Sequence, residues 1–364
     1  MFEIYAGATP IWFQGVTEKE YFITSPKFSE EVNKAGSLEF ILPVTHKNYN
    51  DLQKMKTTIV IKENGVPVWR GRVLHDERDF FKNKHVYCEG QLSFLMDSVV
   101  RPYNSNYSVA ETFRWYINQH NNQVENSRKF SVNENGGVTV TDPNDYLPRS
   151  SSVYPKTLDE ITEKLLNSLG GYFVPEWSDN KWWLNYWVTY GHTSDQVIRF
   201  GENLLDLSEY IDASSVITVL VPLGAKIGTT EERLTIASVN DGKDYIENQT
   251  AIDLFGRITG SHEWDDVTDP SNLLAKGTSF LSSNIKMAVT LTIKAIDLNY
   301  LDVYADRIKL GDMVEVISEP HDLDTFVMCS SIVHDFDNPA NTEYSFGTTL
   351  KSLTDAVSAI RGKR

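Results

Sequence analysis

The sequence predicts a β-rich α+β protein of several domains, with paired strands at both ends of the chain and a helix-containing layer between them. Three observations carry this. Strand-length apolar runs in the first hundred residues are separated by turn signals such as Asn64-Gly65. Two Ser/Thr-x-x-Glu helix starts fall in the middle, at Ser108 and Thr157. Strand-length β-branched segments return after Gly201. The length, 364 residues, fits about two to four domains at roughly 150 residues each.

In chain order, residues 57–62 and 66–73 form a hairpin around Glu63-Asn64-Gly65, because Asn and Gly tolerate positive φ. Residues 72–81 and 85–94 form a second pair, turning at Lys82-Asn83-Lys84, and residues 46–55 read as one short helix. Frequent turns, short strands and one helix suit a small barrel or sandwich. From about residue 104 the texture changes. Ser108 and Glu111 form a capping box that opens a helix to about Asn121, burying Ala110, Phe113 and Ile117 with Trp115 at the margin. Thr157 and Glu160 form a second box, with Ile161, Leu165, Leu166 and Leu169 on one face and Gly170-Gly171 as the stop. A hairpin of residues 172–177 and 181–188 follows, around Ser178-Asp179-Asn180.

After Gly201, strands are expected at 214–223, 234–239 and 286–296, with a helix from Pro270, capped by Asp269, to about Leu281. The last strands are 313–317, 325–334 and 343–347, and residues 353–360 make a short terminal helix. Internal repeats and low-complexity linkers are lacking.

The charge balance, 50 acidic against 34 basic residues with a net −16, disfavours a duplex-DNA binder, which needs a basic stripe against the phosphates. No run approaches the roughly 18 apolar residues of a membrane span. The first residues lack the basic region and apolar core of a secretory signal, so synthesis and folding in the cytoplasm are expected. Two cysteines, Cys88 and Cys329, both in apolar strand-like segments, argue against a disulfide scaffold and a four-cysteine zinc site.

Catalytic motifs are missing. Gly224-Ala-Lys-Ile-Gly228 has neither the spacing nor the lysine of a phosphate loop, and no Gly-x-Ser-x-Gly elbow occurs. His262-Glu-Trp-Asp-Asp266 has an aspartate where a zinc helix needs its second histidine, and it reads as an acidic surface loop before the Pro270 helix. His321/Asp322/Asp324 and His334/Asp335/Asp337 are either turn caps or ligands of an ion. No catalytic residue, metal or cofactor is assigned.

The strongest local feature is aromatic. Tyr172, Phe173, Trp177, Trp182, Trp183, Tyr186, Trp187 and Tyr190 crowd one hairpin, with Trp182 and Tyr186 on one strand face and Trp183 and Trp187 on the other. Three uses remain open: internal core, a protein interface, or a surface on which sugars stack. The candidate interface is Trp177, Trp182, Trp183, Tyr186 and Trp187.

Residues 296–316, which run from Ile296-Asp-Leu-Asn through Leu310-Gly-Asp312 into Val314-Glu-Val316, resemble the prophage tail (prophage endopeptidase tail) family. Ser318-Glu-Pro-His321, Asp335-Phe-Asp-Asn-Pro339 and Ser345-Phe-Gly347 follow in the same order. Earlier segments also fit: residues 87–95, 236–246 and 251–258. The resemblance implies a phage baseplate-hub-like protein at the tip of a long tail. Its first hub-type β-barrel would be residues 1–103, followed by an outer α+β domain over 104–198 that carries the aromatic hairpin. A second barrel would combine 199–235 with 285–349, interrupted by a small inserted domain over 236–284, and 350–364 would be a C-terminal helix or tail. The family implies a homotrimer whose barrels form a pseudo-sixfold ring capping the tail tube. Its implied partners are the distal tail protein, the tape-measure protein and tail-fibre or receptor-binding components. Genomic DNA would pass through the ring without specific binding, kept from sticking by acidic walls. In larger members the hydrolase sits in a C-terminal extension, so no enzyme activity is expected of this stretch. The rival readings are a peptidoglycan hydrolase and a carbohydrate-binding tail module.

Overall fold

The computed structural model describes residues 1–18, 21–143, 145–265, 267–285, 288–298, 306–321 and 323–347. Two compact units emerge, one of Met1–Leu207 with Thr292–Phe346 and the other containing Ser208–Leu291.

The first unit begins with β1 (Phe2–Ala6), β2 (Thr9–Phe13), β3 (Thr24–Glu31), β4 (Ser37–Leu42), β5 (Thr58–Glu63), β6 (Val66–Arg78) and β7 (Lys84–Gly90). They lie antiparallel in the order β3-β4-β7-β6-β5-β1-β2. Inward residues from all seven, among them Ile4, Ile11, Phe28, Phe40, Ile61, Val73 and Cys88, meet in one core, so the sheet curls round a single centre. Asn64 and Gly65 take φ of 50° and 80°, as the expected β5–β6 hairpin requires. Gly71 and Gly90 face each other across β6 and β7. A Cβ on Gly71 would stand 2.3 Å from the Trp69 indole, and one on Gly90 1.7 Å from the Ala35 carbonyl oxygen. These two glycines make the seat of Trp69.

Two expectations fail here. Residues 46–55 form a succession of turns, not a helix. The Asn48 and Gln53 amides donate to the His46 Nδ1 and Thr57 hydroxyl acceptors, so side chains take bonds that a helix would need. The strand expected to reach residue 94 ends at Gly90, and Gln91–Asp97 is a 3-10 helix that buries Leu92, Phe94 and Leu95.

That helix floors a second layer: β8 (Tyr103–Asn104), α1 (Val109–Asn121), β9 (Ser150–Ser151), α2 (Thr157–Ile161), α3 (Asn167–Leu169), β10 (Tyr172–Ser178) and β11 (Lys181–Trp187). The Ser108–Glu111 capping box is present, and α1 buries Val109, Phe113, Tyr116, Ile117 and His120, while Ala110 and Trp115 are only half-buried. The second capping box is not formed. Lys156 is the N-cap of α2 because the Thr157 hydroxyl is engaged with Ser98 (2.7 Å) and Glu160 accepts from Tyr103 (2.9 Å). A π-turn, Thr162–Leu166, joins α2 to α3, and Gly170 and Gly171 end the run at φ of 71° and 92°. β10 and β11 pair as expected, through Asp179 and Asn180 at φ of 51° and 56°.

Arginines fasten this layer to the curled sheet. Arg70 on β6, 5% exposed, donates to Gln91 and to the carbonyls of Ser127 and Lys129, and lies over the rings of Phe94, Phe130 and Trp182. Arg72 pairs with Glu89 and Asp97, and Arg128 reaches the same Asp97 at 2.8 Å.

Further on come β12 (Thr193–Arg199) and β13 (Leu204–Asp212), neither expected from the sequence. The second unit holds a three-stranded sheet of β14 (Val219–Leu223), β15 (Ile246–Glu247) and, after α4 (Gln249–Phe255), β16 (Thr259–Glu263), in the order β15-β14-β16, with α5 (Pro270–Asn284) against it. The Asp269 cap of α5 is present. Residues 234–239 are not the expected strand; Ala237–Val239 is a 3-10 turn.

The remaining strands are β17 (Ala288–Ala295), β18 (Met313–Ser318), β19 (Leu323–Asp335) and β20 (Glu343–Gly347). β19 pairs with β18 through residues 323–328, with β20 through 329–333 and with β3 through 331–335. One sheet therefore runs from the curled N-terminal strands into the C-terminal ones. The terminal helix expected at 353–360, within the tail 350–364, lies outside the described residues.

Candidate interface surface

The aromatic hairpin divides by face. Phe173, Trp177, Trp182 and Tyr186 face the helices, and Tyr186, fully buried, packs on Phe113 and Phe173 with ring centres 5.5 and 5.0 Å away. Trp182 is 6% exposed, and Trp177 packs partly buried beside it. Trp183 and Trp187 lie on the other face, half-buried. Their indole N–H groups donate to the Ser178 and Gly136 carbonyls, at 3.3 and 2.8 Å. The free edge of β11 is covered: Leu184 and Tyr186 donate to Ser131 and Gly137, and Ser131 and Thr139 donate back. Within this chain, then, Trp182 and Tyr186 are core residues, and any contact with a partner falls to the half-buried indoles.

Beside the hairpin is a cleft of about 80 Å³ whose apolar lining includes Val68, Trp69, Tyr172, Pro175 and Tyr190. Its lining also includes Glu31, Lys34 and Glu30, whose carboxylate is bonded to His334. Burial, with Glu30 and Asp312 nearby, pushes the Tyr190 phenol well above its ordinary value, so it stays neutral.

The sequence reading missed the tip between β6 and β7. Phe80 and Phe81 are 93% and 73% exposed and touch each other edge to face at 5.3 Å. Their turn is locked. Asp79 accepts from the Asn83 amide and side chain (2.9 and 3.0 Å), Asn83 accepts from Val44 N–H, and Tyr49 donates to the Lys82 carbonyl. The available signal was two adjacent phenylalanines in an otherwise charged stretch, residues 75–85, where at most one can face a core.

The chemical candidates resolve into structure. His334 is not in a turn; it is buried in β19, stacked on Phe28. Its Nε2 bonds Glu30 at 2.8 Å, and its Nδ1 lies 3.0 Å from Arg307, which also pairs with Glu63 at 2.7 Å. A neutral ring suits both contacts, donating through Nε2 and accepting at Nδ1. Burial lowers its pKa against the raising effect of Glu30. Asp335 does cap a turn, accepting from Asp337 and Asn338. His321 bonds Ser318 at 2.6 Å within a 3-10 turn, and Asp322 lies outside the described residues. His262 and Glu263 are on strand β16, correcting the expected loop; His262 stacks on Phe280, and Arg233 pairs with Glu263 and Asp265.

Among the described residues, no group of three His, Cys, Asp or Glu is placed to hold a metal ion. Cys88 and Cys329 are buried, and burial pushes both thiols up, away from the nucleophilic thiolate. A Ser98–His120 pair at 2.8 Å looks like a nucleophile and base, but both residues are buried and the His120 Nε2 bonds the Arg128 carbonyl. No helix among the described residues is long and apolar enough to cross a membrane.

Residues 192–357 match the family described as prophage endopeptidase tail. No curated protein matches the sequence. Among solved structures, the chain is similar to a prophage tail protein from Listeria monocytogenes, with TM-score 0.55 and 16% identity over 99% of this chain and 98% of that one. It is also similar to the 43 kDa tail protein of prophage MuSo2 from Shewanella oneidensis, with TM-score 0.61 and 11% identity over 97% and 99%. A third is a tail protein from Neisseria meningitidis, with TM-score 0.59 and 11% identity over 98% of each chain. Identities this low speak for the fold alone: the chain is β-rich and has a fold similar to that of prophage tail proteins, and the sequence of residues 192–357 is similar to the prophage endopeptidase tail family.

Proposed function

We propose that this chain is a non-enzymatic structural subunit of a phage tail, placed at the tail tip as the hub. Three copies form a ring that caps the tail tube, with the distal tail protein on one side and tail-fibre or receptor-binding components beyond. The observation that supports the reading is coverage: the fold shared with prophage tail proteins extends over 97–99% of this chain. In this reading the curled sheet of residues 1–103 is one barrel of the hub, and the strands flanking the 236–284 insertion form the other. The net charge of −16 suits a wall past which DNA moves without sticking, with the end of the tape-measure protein as the plug. Trp183 and Trp187 are the hairpin residues assigned to partner contact.

Light scattering of the purified protein at micromolar concentration, with negative-stain imaging of the same sample, tests this. The expected species is about three times 41.4 kDa and images as threefold rings. A ring whose lumen is lined mainly by Lys and Arg overturns the DNA-passage step. Clearing of a cell-wall suspension by the protein overturns the non-enzymatic assignment.

A further inference from the structure

We propose that Asn135-Gly136 is a site of spontaneous deamidation, at which the folded chain converts an amide to a carboxylate and loosens the segment that covers the edge of β11.

The chain carries Glu-Asn-Gly twice, at residues 63–65 and 134–136. Asparagine before glycine is the pair most prone to ring closure, because the glycine nitrogen reaches the side-chain carbon with no Cβ in its way. With the same three residues the two sites start equal, and the fold separates them. Asn64 is held. Its side-chain oxygen accepts from the N-terminal ammonium at 2.7 Å, its N–H donates to the Met1 carbonyl at 2.8 Å, and the paired residues Glu63 and Val66 flank its turn. Asn135 is exposed, and its side chain has no hydrogen-bond partner among the described residues. Gly136 is exposed too, at φ of 86°, with no atom within 4 Å of where a Cβ would stand. Asn133, two residues earlier, is followed by Glu134, and its Oδ1 is occupied by the Asn135 amide at 3.0 Å.

The chemistry needs only water. The Gly136 nitrogen gives up its proton to solvent and bonds to the Asn135 side-chain carbon, while the bond from that carbon to the amide nitrogen breaks and ammonia leaves. Water then adds to either carbonyl of the succinimide ring and breaks one of its C–N bonds. One opening leaves aspartate. The other leaves isoaspartate, whose main chain runs through the side-chain carbons and is one methylene longer. Either product adds a negative charge next to exposed Glu134. The lengthened chain falls between fixed points. The Glu134 carbonyl accepts from Arg114, the Gly136 carbonyl from the Trp187 indole and the Gly137 carbonyl from the Tyr186 amide, each at 2.8 Å. An added methylene cannot keep all three bonds, so the cover over the β11 edge loosens and Trp187 loses its acceptor.

The full chain is aged at mildly alkaline pH, folded or in concentrated urea, and sampled by peptide mass spectrometry with enzymatic isoaspartyl methylation as a second readout. In the folded chain the peptide holding Asn135 is expected to gain the amide-to-acid mass ahead of the peptide holding Asn64, and in urea the two are expected to converge. Tryptophan emission should shift with the conversion in wild type and stay fixed in Asn135→Gln, whose longer side chain closes the ring far more slowly. A folded chain that converts Asn64 first, or converts neither while the urea sample converts both, overturns the site. Conversion without an emission shift, or a shift shared by Asn135→Gln, overturns the loosening of the β11 cover.

Discussion

Arg70 bears a full charge at 5% exposure while donating to three neutral acceptors, and its neighbours explain how. Three acceptors and three ring faces replace the lost water, while burial lowers its pKa to about 9, so it remains protonated at neutral pH. Arg70→Ala leaves the Ser127 and Lys129 carbonyls and the Gln91 side chain without their donor, and is expected to cost about 3–5 kcal/mol in urea denaturation followed by tryptophan fluorescence. Arg72→Ala should cost less, about 1–2 kcal/mol, because Arg128 still neutralises Asp97. The reverse order would refute this account. Histidines make a second prediction. Burial lowers the pKa of His46, His120, His262 and His334 below the ordinary 6.5. Around and below pH 6.5 the unfolded chain binds protons that the folded one refuses, so their contribution is complete above that pH and is lost as pH falls through the folded values. For His334 the cost is specific, since protonation sets Nδ1–H against the Arg307 guanidinium. Glu160 and Glu176, both raised by burial, act with the opposite sign and are removed by Glu160→Gln and Glu176→Gln in the background tested. The urea midpoint should be higher at pH 7.5 than at pH 5.5, and His334→Gln should narrow the gap; an unchanged gap would show that His334 does not contribute to it.

At the scale of elements, what was legible in the sequence was local. Asn64-Gly65 and Asp179-Asn180 fix their hairpins through positive φ, and Ser108 and Asp269 cap α1 and α5 with their own side chains. Readings failed where a distant partner took the local signal. Thr157 has the cap sequence, but its hydroxyl is engaged with Ser98, 59 residues away. β12 reads Thr-Ser-Asp-Gln-Val-Ile-Arg, too polar to announce a strand, and it is held by parallel pairing with β18. The hairpin's aromatic faces were legible by alternation, whereas which face is covered depended on where α1 packs. The seat of Trp69 shows the same limit, since nothing near Gly71 or Gly90 in sequence says that an indole crosses them. Gly71→Ala should therefore cost about 1–3 kcal/mol and shift Trp69 emission. Trp69→Phe in the same chain should recover part of that loss, because the smaller ring vacates the space. If the double variant is no better than the sum of the two single changes, the contact at 2.3 Å is not the cause.

At the scale of the whole molecule, residues 208–291 of the second unit are one continuous segment of the chain between the two parts of the first. β13 leads out towards it and β17 leads back, and the two strands are neighbours, with the Ile296 amide donating to the Asn203 carbonyl at one end. A segment that leaves and returns through neighbouring strands is the arrangement that tolerates excision or insertion of a domain. Long-range pairing holds the rest together without it. β19 binds β3 more than 300 residues away in sequence, and Asp297, 1% exposed, accepts from Gln196, Ile308 and Tyr344 to tie the strands after β17 back to β12. A chain in which residues 213–287 are replaced by a short Gly-Ser linker should fold, keeping the near-ultraviolet circular dichroism of the buried Trp69, Trp182 and Tyr186 environment. The shorter loop lowers the entropy of closure slightly, so the loss of stability should be small. Failure to fold would mean that the segment is needed to bring β13 and β17 together, and the sheet could not then be regarded as independent of it.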